Sequence, residues 1–160
     1  MPKAKSQSKL KPFRVGRSRT GLGLFATESI KKRCLVVEYS GRRIPTVRAQ
    51  EIERRRANKY LFEINGRWTI DGSSRRNLGR YVNHACEPNT EAELLRGRMM
   101  IRAIADIAPG DEITYDYGEE YLELFFGKTG CLCASCAKSE AWKAGPKAKA
   151  ASTNRKPAIR

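Results

Sequence analysis

With 160 residues, 40% of them hydrophobic, the chain has material for one domain with a modest core and not for two. Its formal net charge of +15 is lopsided: residues 1–14 carry five Lys/Arg and no acid, residues 137–160 carry seven against Glu140, and +4 is left for residues 15–136. No apolar run is long enough to span a membrane or follows the first lysines as a secretory signal would, so neither fate is expected.

In chain order, residues 1–12 and 143–160 are rich in Lys, Pro, Ala and Ser and poor in large apolar side chains, and both are predicted to be disordered basic arms. Such arms neutralise phosphates weakly, so weak nucleic-acid contact is one expectation and a plain solubility tail the other. Between them, Gly21-Leu22-Gly23 lets the backbone turn tightly and approach a ligand. It lacks the further glycine and the helix of a dinucleotide fingerprint, and alone it marks only a turn. Residues 34–41 are predicted to be a buried strand and residues 46–59 a helix, with Arg54-Arg55-Arg56 on a solvated face. Residues 60–64 and 68–71 read as two strands joined through an Asn65-Gly66 turn. Residues 99–104 and 112–115 read as strands flanking a Pro-Gly turn. The sum is a mainly β, α+β domain of several short strands with one inserted helix.

Three stretches do not fit plain scaffolding. Residues 81–89 pack His84, the sole histidine, with Cys86, Asn83, Asn89 and Pro88, too dense in polar and breaking residues for a simple strand. In residues 110–118, Tyr115 and Tyr117 alternate, so in a strand they share a side; without context they read as core aromatics. Cys131, Cys133 and Cys136 form C-x-C-x2-C. Five cysteines in a chain expected to stay in a reducing compartment argue for metal or catalysis over disulfides. A structural zinc site needs four ligands, so these three are one short. Cys34, in an apolar run, reads as a small buried hydrophobe; His84 and Cys86 remain, and Cys86 in its polar loop is the better fourth ligand.

Residues 83–89, Asn-His-Ala-Cys-Glu-Pro-Asn, resemble the N-H-x-C-x-P-N motif of SET-domain protein-lysine methyltransferases. Residues 110–117 resemble that family's G-E-E-L-T-Y-D-Y motif, Gly21-Leu22-Gly23 its first glycine pair, and residues 37–41 its E-Y-x-G strand, in the family's order. The resemblance covers residues 13–136. It implies a SET domain over 13–120, a zinc-binding post-SET segment over 121–142, and a fold of several short β-sheets with a knot-like C-terminal crossing. It further implies S-adenosylmethionine as cofactor, held by Thr20, Gly21, Leu22, Gly23, Tyr39, Asn83 and His84. The same likeness makes Tyr117 the catalytic tyrosine and Tyr115 the residue that influences how many methyls are added. Tyr39 and Phe62, with Tyr115 and Tyr117, would line a lysine channel, and Cys86, Cys131, Cys133 and Cys136 would bind structural zinc.

Two tyrosines suggest mono- or dimethylation. The chain departs from the family in three ways: C-x-C-x2-C is shorter than the commoner C-x-C-x4-C, Thr20 stands where many members have a basic residue, and no cysteine-rich pre-SET region is present. The second departure passes the cofactor's carboxylate to Arg17 or Arg19. Trp142 either covers the site or is an exposed tail residue. The expected substrate is a lysine-containing basic protein, a histone or a histone-like DNA-binding protein, met in the cytoplasm or nucleoid of a bacterium or in a nucleus. A non-catalytic zinc-stapled binding module gripping nucleic acid with its arms is the alternative. Retention of Tyr117, Asn83, His84 and the glycine loop together weighs against it.

Overall fold

The computed structural model describes residues 11–55, 58–127 and 130–138; the two basic arms and Trp142 lie essentially outside these. Where the sequence alternates apolar and polar residues the chain is extended, and ten strands are described: β1 (Phe13–Ser18), β2 (Gly21–Ala26), β3 (Leu35–Glu38), β4 (Arg42–Pro45), β5 (Leu61–Glu63), β6 (Trp68–Asp71), β7 (Asn83–His84), β8 (Thr90–Leu95), β9 (Arg98–Ala103) and β10 (Glu112–Tyr115). They make three small sheets, ordered β1-β2-β10-β7, β3-β9-β8 and β4-β6-β5. Sharp turns close the hairpins. At Arg96-Gly97, between β8 and β9, φ is +48° and +77°, the two positive values that a tight hairpin matched to strand twist requires.

The inward residues of the sheets meet in one core. Leu24, Ile101 and Ile113 have no exposed surface, and Val82, Met99 and Ile107 are almost as deep. β9 shows why the strand forms: Met99, Ile101 and Ala103 point inward while Arg98 and Arg102 point out. A satellite cluster of Ile44, Ala49 and Leu61, with Ile52, seats the helix α1 (Thr46–Arg55) against β4 and β5.

The mainly β architecture agrees with the expectation, and three details correct it. First, α1 ends at Arg55, with residues 56 and 57 outside the described set, and Asn58 and Lys59 are not helical as residues 46–59 were expected to be. The Asn58 side chain accepts from the Tyr60 N–H at 3.1 Å and donates to Ser73 Oγ at 3.2 Å, a local alternative to helix bonding. Second, the strand expected at 34–41 is neither so long nor so buried: β3 is an edge strand with one face outward, and both Cys34 and Leu35 are exposed. Third, the helix α2 (Glu119–Phe126) and the short helix α3 (Ala134–Lys138) follow β10. Among the described residues, no helix is long and apolar enough to cross a membrane.

What positions the site is the first sheet. β10, late in the chain, pairs antiparallel with β2 and parallel with β7, setting Thr114 opposite Asn83 and Tyr115 opposite His84. The glycine loop, the Asn-His stretch and the tyrosine stretch are thereby neighbours through backbone bonds alone.

Candidate active site

Tyr115 closes β10 with its side chain turned inward, and the chain then leaves the sheet, so Tyr117 reaches the same side from a loop. Their ring centroids lie 4.7 Å apart. Tyr121, one turn into α2, sets its edge on Tyr117 at 4.8 Å, and Phe62 on β5 lies 6.3 Å from Tyr115 and 5.1 Å from Tyr39. Contact at these separations and angles favours the ring quadrupoles. Hydroxyls in this cluster are satisfied by backbone: Tyr39 donates to the Tyr60 carbonyl at 2.9 Å, Tyr117 to that of Val82 at 2.7 Å and Tyr121 to that of Lys59 at 2.9 Å. Burial pushes the ionisation of Tyr39, Tyr115, Tyr117 and Tyr121 far above the usual phenol range, because a phenolate here would lose its water. These are protonated donors at any ordinary pH.

The cluster forms one wall of a cavity of about 550 Å³. Thr20, Leu22, Asn83 and His84 also line it, as do Phe126, Leu132, Cys131 and Cys133, and the His84 ring packs 5.5 Å from that of Tyr117. Close packing explains the glycines next to it. Gly21 has φ +123°, and a Cβ on Gly23 would come within 2.4 Å of Glu112 Oε1 and 3.1 Å of Asn83 Nδ2. Asn83 Nδ2 donates to the Leu22 carbonyl at 3.1 Å and to Glu112 Oε1 at 2.7 Å, while Ser18 Oγ donates to Glu112 Oε2 at 2.9 Å. One carboxylate thus fastens the β1-β2 hairpin to the Asn-His stretch.

His84 Nδ1 accepts from the Tyr117 N–H at 3.2 Å, which assigns its proton to Nε2. Burial lowers the pKa of the ring and the Asp116 carboxylate, 3.5 Å away, opposes that only in part. The neutral imidazole orients the backbone at Tyr117.

Four of the five cysteines come together. Cys86 Sγ lies 3.7 Å from Cys131 Sγ and 3.4 Å from Cys136 Sγ, and the Cys133 N–H points at Cys131 Sγ at 3.4 Å. Donor atoms of His84, Cys86, Cys131 and Cys133 all lie within 4.8 Å of one another. Burial raises the Cys86 thiol, with its neighbours' thiols adding to the rise, and burial likewise lifts Cys131 to about 11. Burial would also raise Cys133, but backbone N–H groups of Cys136 and Cys86 and the adjacent thiols outweigh it and bring it down to about 6.

Of the residues singled out from sequence, Thr20, Leu22, Tyr39, Asn83, His84, Tyr115 and Tyr117 line the cavity, with Cys131 and Cys133. Gly21 and Gly23 supply the adjoining turn and packing. Phe62 is not on the wall; it backs Tyr39 and Tyr115. Arg17 and Arg19 do not line the cavity either, and its basic side chains are Lys59, Arg75 and Arg80. The Arg80 guanidinium stacks 3.8 Å from the Tyr60 ring centroid, and its Nε is buried without a hydrogen-bond partner. Sequence reasoning missed Tyr121 and Phe126 as well. The four-residue step from Tyr117 to Tyr121 is the signal that points to the first; Phe126, five residues further on, falls outside that spacing.

Against known proteins, the chain is 33% identical over 135 residues to the histone-lysine N-methyltransferase, H3 lysine-4 specific, of Saccharomyces cerevisiae, covering 78% of this chain and 12% of that protein. It is 38% identical over 135 residues to the histone-lysine N-methyltransferase set-2 of Caenorhabditis elegans, covering 78% and 9%. Among solved structures, a chain of the Chaetomium thermophilum polycomb repressive complex 2 superposes with a TM-score of 0.64 at 31% identity, over 72% of this chain and 16% of that one. The same complex in an autoinhibited conformation bound to S-adenosylmethionine gives 0.62 at 31% identity, over 71% and 16%. The chain therefore spans no more than 16% of the length of any of these four. A family model described as SET domain matches residues 21–118, the stretch from the glycine loop through the paired tyrosines, and the chain belongs to the SET-domain family.

Proposed function

We propose that this domain is an S-adenosylmethionine-dependent protein-lysine N-methyltransferase that adds one or two methyl groups to a histone or a histone-like basic protein. The observation that carries this is the cluster of protonated tyrosines, Tyr39, Tyr115, Tyr117 and Tyr121, lining the same cavity as Thr20, Leu22, Asn83 and His84. When bound, S-adenosylmethionine supplies a methyl group activated on a sulfonium. A cavity of about 550 Å³ is of the size such a molecule needs. Thr20, Leu22, Asn83 and His84 would hold it, and the guanidinium of Arg80, in the same lining, would meet its carboxylate.

The chain's own residues do the rest. A lysine amine attacks only when neutral, and a channel walled by Tyr39, Tyr115 and Tyr117 penalises the ammonium form by removing its water. Tyr117 and its neighbouring carbonyls then hold the lone pair in line for transfer. Tyr115 adds a second hydroxyl that crowds a methylated amine, which limits the product to mono- and dimethyllysine.

Cys86, Cys131, Cys133 and Cys136 would hold a structural zinc ion. Four thiolates placed tetrahedrally at about 2.3 Å from zinc stand about 3.8 Å apart, and Cys86 Sγ lies 3.7 Å from that of Cys131 and 3.4 Å from that of Cys136. His84 lies close enough to compete, with Nε2 3.4 Å from Cys86 Sγ, but because Nδ1 accepts from the Tyr117 N–H, Nε2 carries the proton and donates to the thiol instead. The zinc would pin the wall containing Cys131, Leu132 and Cys133 to the Asn-His stretch.

The test is transfer of label from S-adenosylmethionine to histones, to a bacterial histone-like protein and to the chain itself, with calorimetric cofactor binding measured beside it. Label on lysine that is lost in Tyr117→Phe supports the reading. Cofactor binding without transfer to any acceptor, or no cofactor binding by a folded, zinc-loaded chain, overturns it in favour of a binding module.

A further inference from the structure

A second groove of about 260 Å³ runs between α1, the β4-β6-β5 sheet and α2. Ala49, Leu61, Leu124 and Phe125 give it an apolar lining, and Leu124 stands 66% exposed. Glu53, Glu63 and Glu120 stand along it, and none of its lining residues is basic. Tyr121 lines both this groove and the tyrosine-lined cavity, so the two adjoin at that residue.

The described chain ends at the cysteine cluster. α3 ends at Lys138, and its Cys136 lies against Cys86, in the cysteine cluster whose Cys131 and Cys133 wall the cavity. Beyond it the sequence carries Lys143, Lys147, Lys149, Arg155, Lys156 and Arg160 against the one acid Glu140. Lys143 and Lys149 are 5 and 11 residues past Lys138, which at about 3.4 Å per residue gives a reach of roughly 17 to 37 Å.

We infer, building on the methyltransferase reading, that residues 141–160 of this chain dock in the acidic groove and present their own lysines to the tyrosine cluster, so that the domain methylates its C-terminal segment in cis. Charge selects the occupant: a basic segment meets three carboxylates on an apolar floor. The tether makes weak contacts sufficient, because covalent attachment through a few residues holds a ligand at an effective concentration of about millimolar. Lys147 and Lys149 are the best suited to approach beside Tyr121, since their neighbours Pro146, Ala148 and Ala150 are small. In the reaction the neutral Nε forms a C–N bond to the methyl carbon as the C–S bond of the cofactor breaks. The electron pair stays on sulfur as a thioether, and the proton left on nitrogen goes to solvent.

Docking is read without cofactor. The full-length chain is treated with a carbodiimide, which joins amines to carboxylates in contact, and the cross-links are mapped by mass spectrometry. Bridges from Lys143, Lys147 or Lys149 to Glu53, Glu63 or Glu120 are expected, and they disappear at high salt and in the triple variant Glu53→Gln, Glu63→Gln, Glu120→Gln. With labelled S-adenosylmethionine, label then falls on those lysines at a rate per molecule independent of protein concentration, and drops at least tenfold in the same variant. A tail variant with Lys143→Arg, Lys147→Arg and Lys149→Arg leaves the folded body untouched, keeps its charge and loses the label. Labelled histones with neither bridges nor label in residues 141–160 overturn the docking and leave the enzyme reading standing. A per-molecule rate that climbs with protein concentration overturns transfer in cis in favour of a second copy. No transfer to any acceptor overturns the enzyme reading, and the cross-links alone then decide whether the segment docks.

Discussion

Tyr117 joins structure and proposed chemistry in one side chain: its ring packs between Tyr115 and Tyr121 and its hydroxyl closes on the Val82 carbonyl at 2.7 Å. Tyr117→Phe keeps the ring and removes the donor. We expect a stability loss of about 1 kcal/mol in a melt and a fall in transfer of about 10²-fold, with cofactor affinity unchanged by calorimetry. Tyr115→Phe removes the other hydroxyl at the channel, and intact-mass analysis of the product is expected to shift towards a more highly methylated lysine. The pH profile follows from the same burial. Because all four tyrosines titrate well above their usual range, the rate is expected to rise with pH from 7 to 9 as the acceptor ammonium, normally near a pKa of about 10.4, loses its proton. A falling limb within that window in single-turnover kinetics would contradict it.

At the level of elements, β10 is held by more than its strand neighbours. Asn89 donates to the Glu112 carbonyl at 2.8 Å and accepts from the Thr114 N–H at 2.9 Å, so its amide acts as an extra strand residue, and the buried Thr90 hydroxyl donates to the Thr114 carbonyl at 2.7 Å. Asn89→Ala strands two backbone groups and is expected to cost about 2–4 kcal/mol in denaturant unfolding. Leu24→Ala, in the centre of β2 with no exposed surface, is expected to cost about 3 kcal/mol by leaving a cavity. By contrast Val47→Ala on α1, 72% exposed, is expected to stay within about 0.5 kcal/mol.

For the molecule as a whole, the cysteine cluster joins residues 45 and 50 positions apart in sequence, and none of its cysteines lies in a strand of the β-structure formed by residues 13–115. Chelation is therefore expected to release residues 130–138 while leaving the sheets folded, which hydrogen exchange resolves segment by segment. Metal affinity is expected to weaken as pH falls. The Cys86 and Cys131 thiols are pushed up by burial, so in the absence of metal they hold their protons, and each must lose one to bind. Unchanged exchange at residues 130–138 after metal removal would show that packing, not metal, holds that wall.

The sequence by itself determined the local chemistry. Alternation in β9 and the β6 residues, the Asn65-Gly66 turn, the Gly21-Leu22-Gly23 turn and the thiol spacing are properties of neighbouring residues, and they were legible as such. So was the family, because its motifs are contiguous. Only the tertiary structure decided what depends on distant residues. Cys34 sits in an apolar run yet is exposed, since β3 proved an edge strand. Arg80 rather than Arg17 or Arg19 reaches the cavity, and Glu112 fastens Asn83 to Ser18, because β10 lies between β2 and β7. Tyr121 completes the aromatic wall because only three residues separate α2 from β10, and its ring sits edge-on against Tyr117. Which side chains share a cavity depends on strand order across the sheet, and no local periodicity encodes that order.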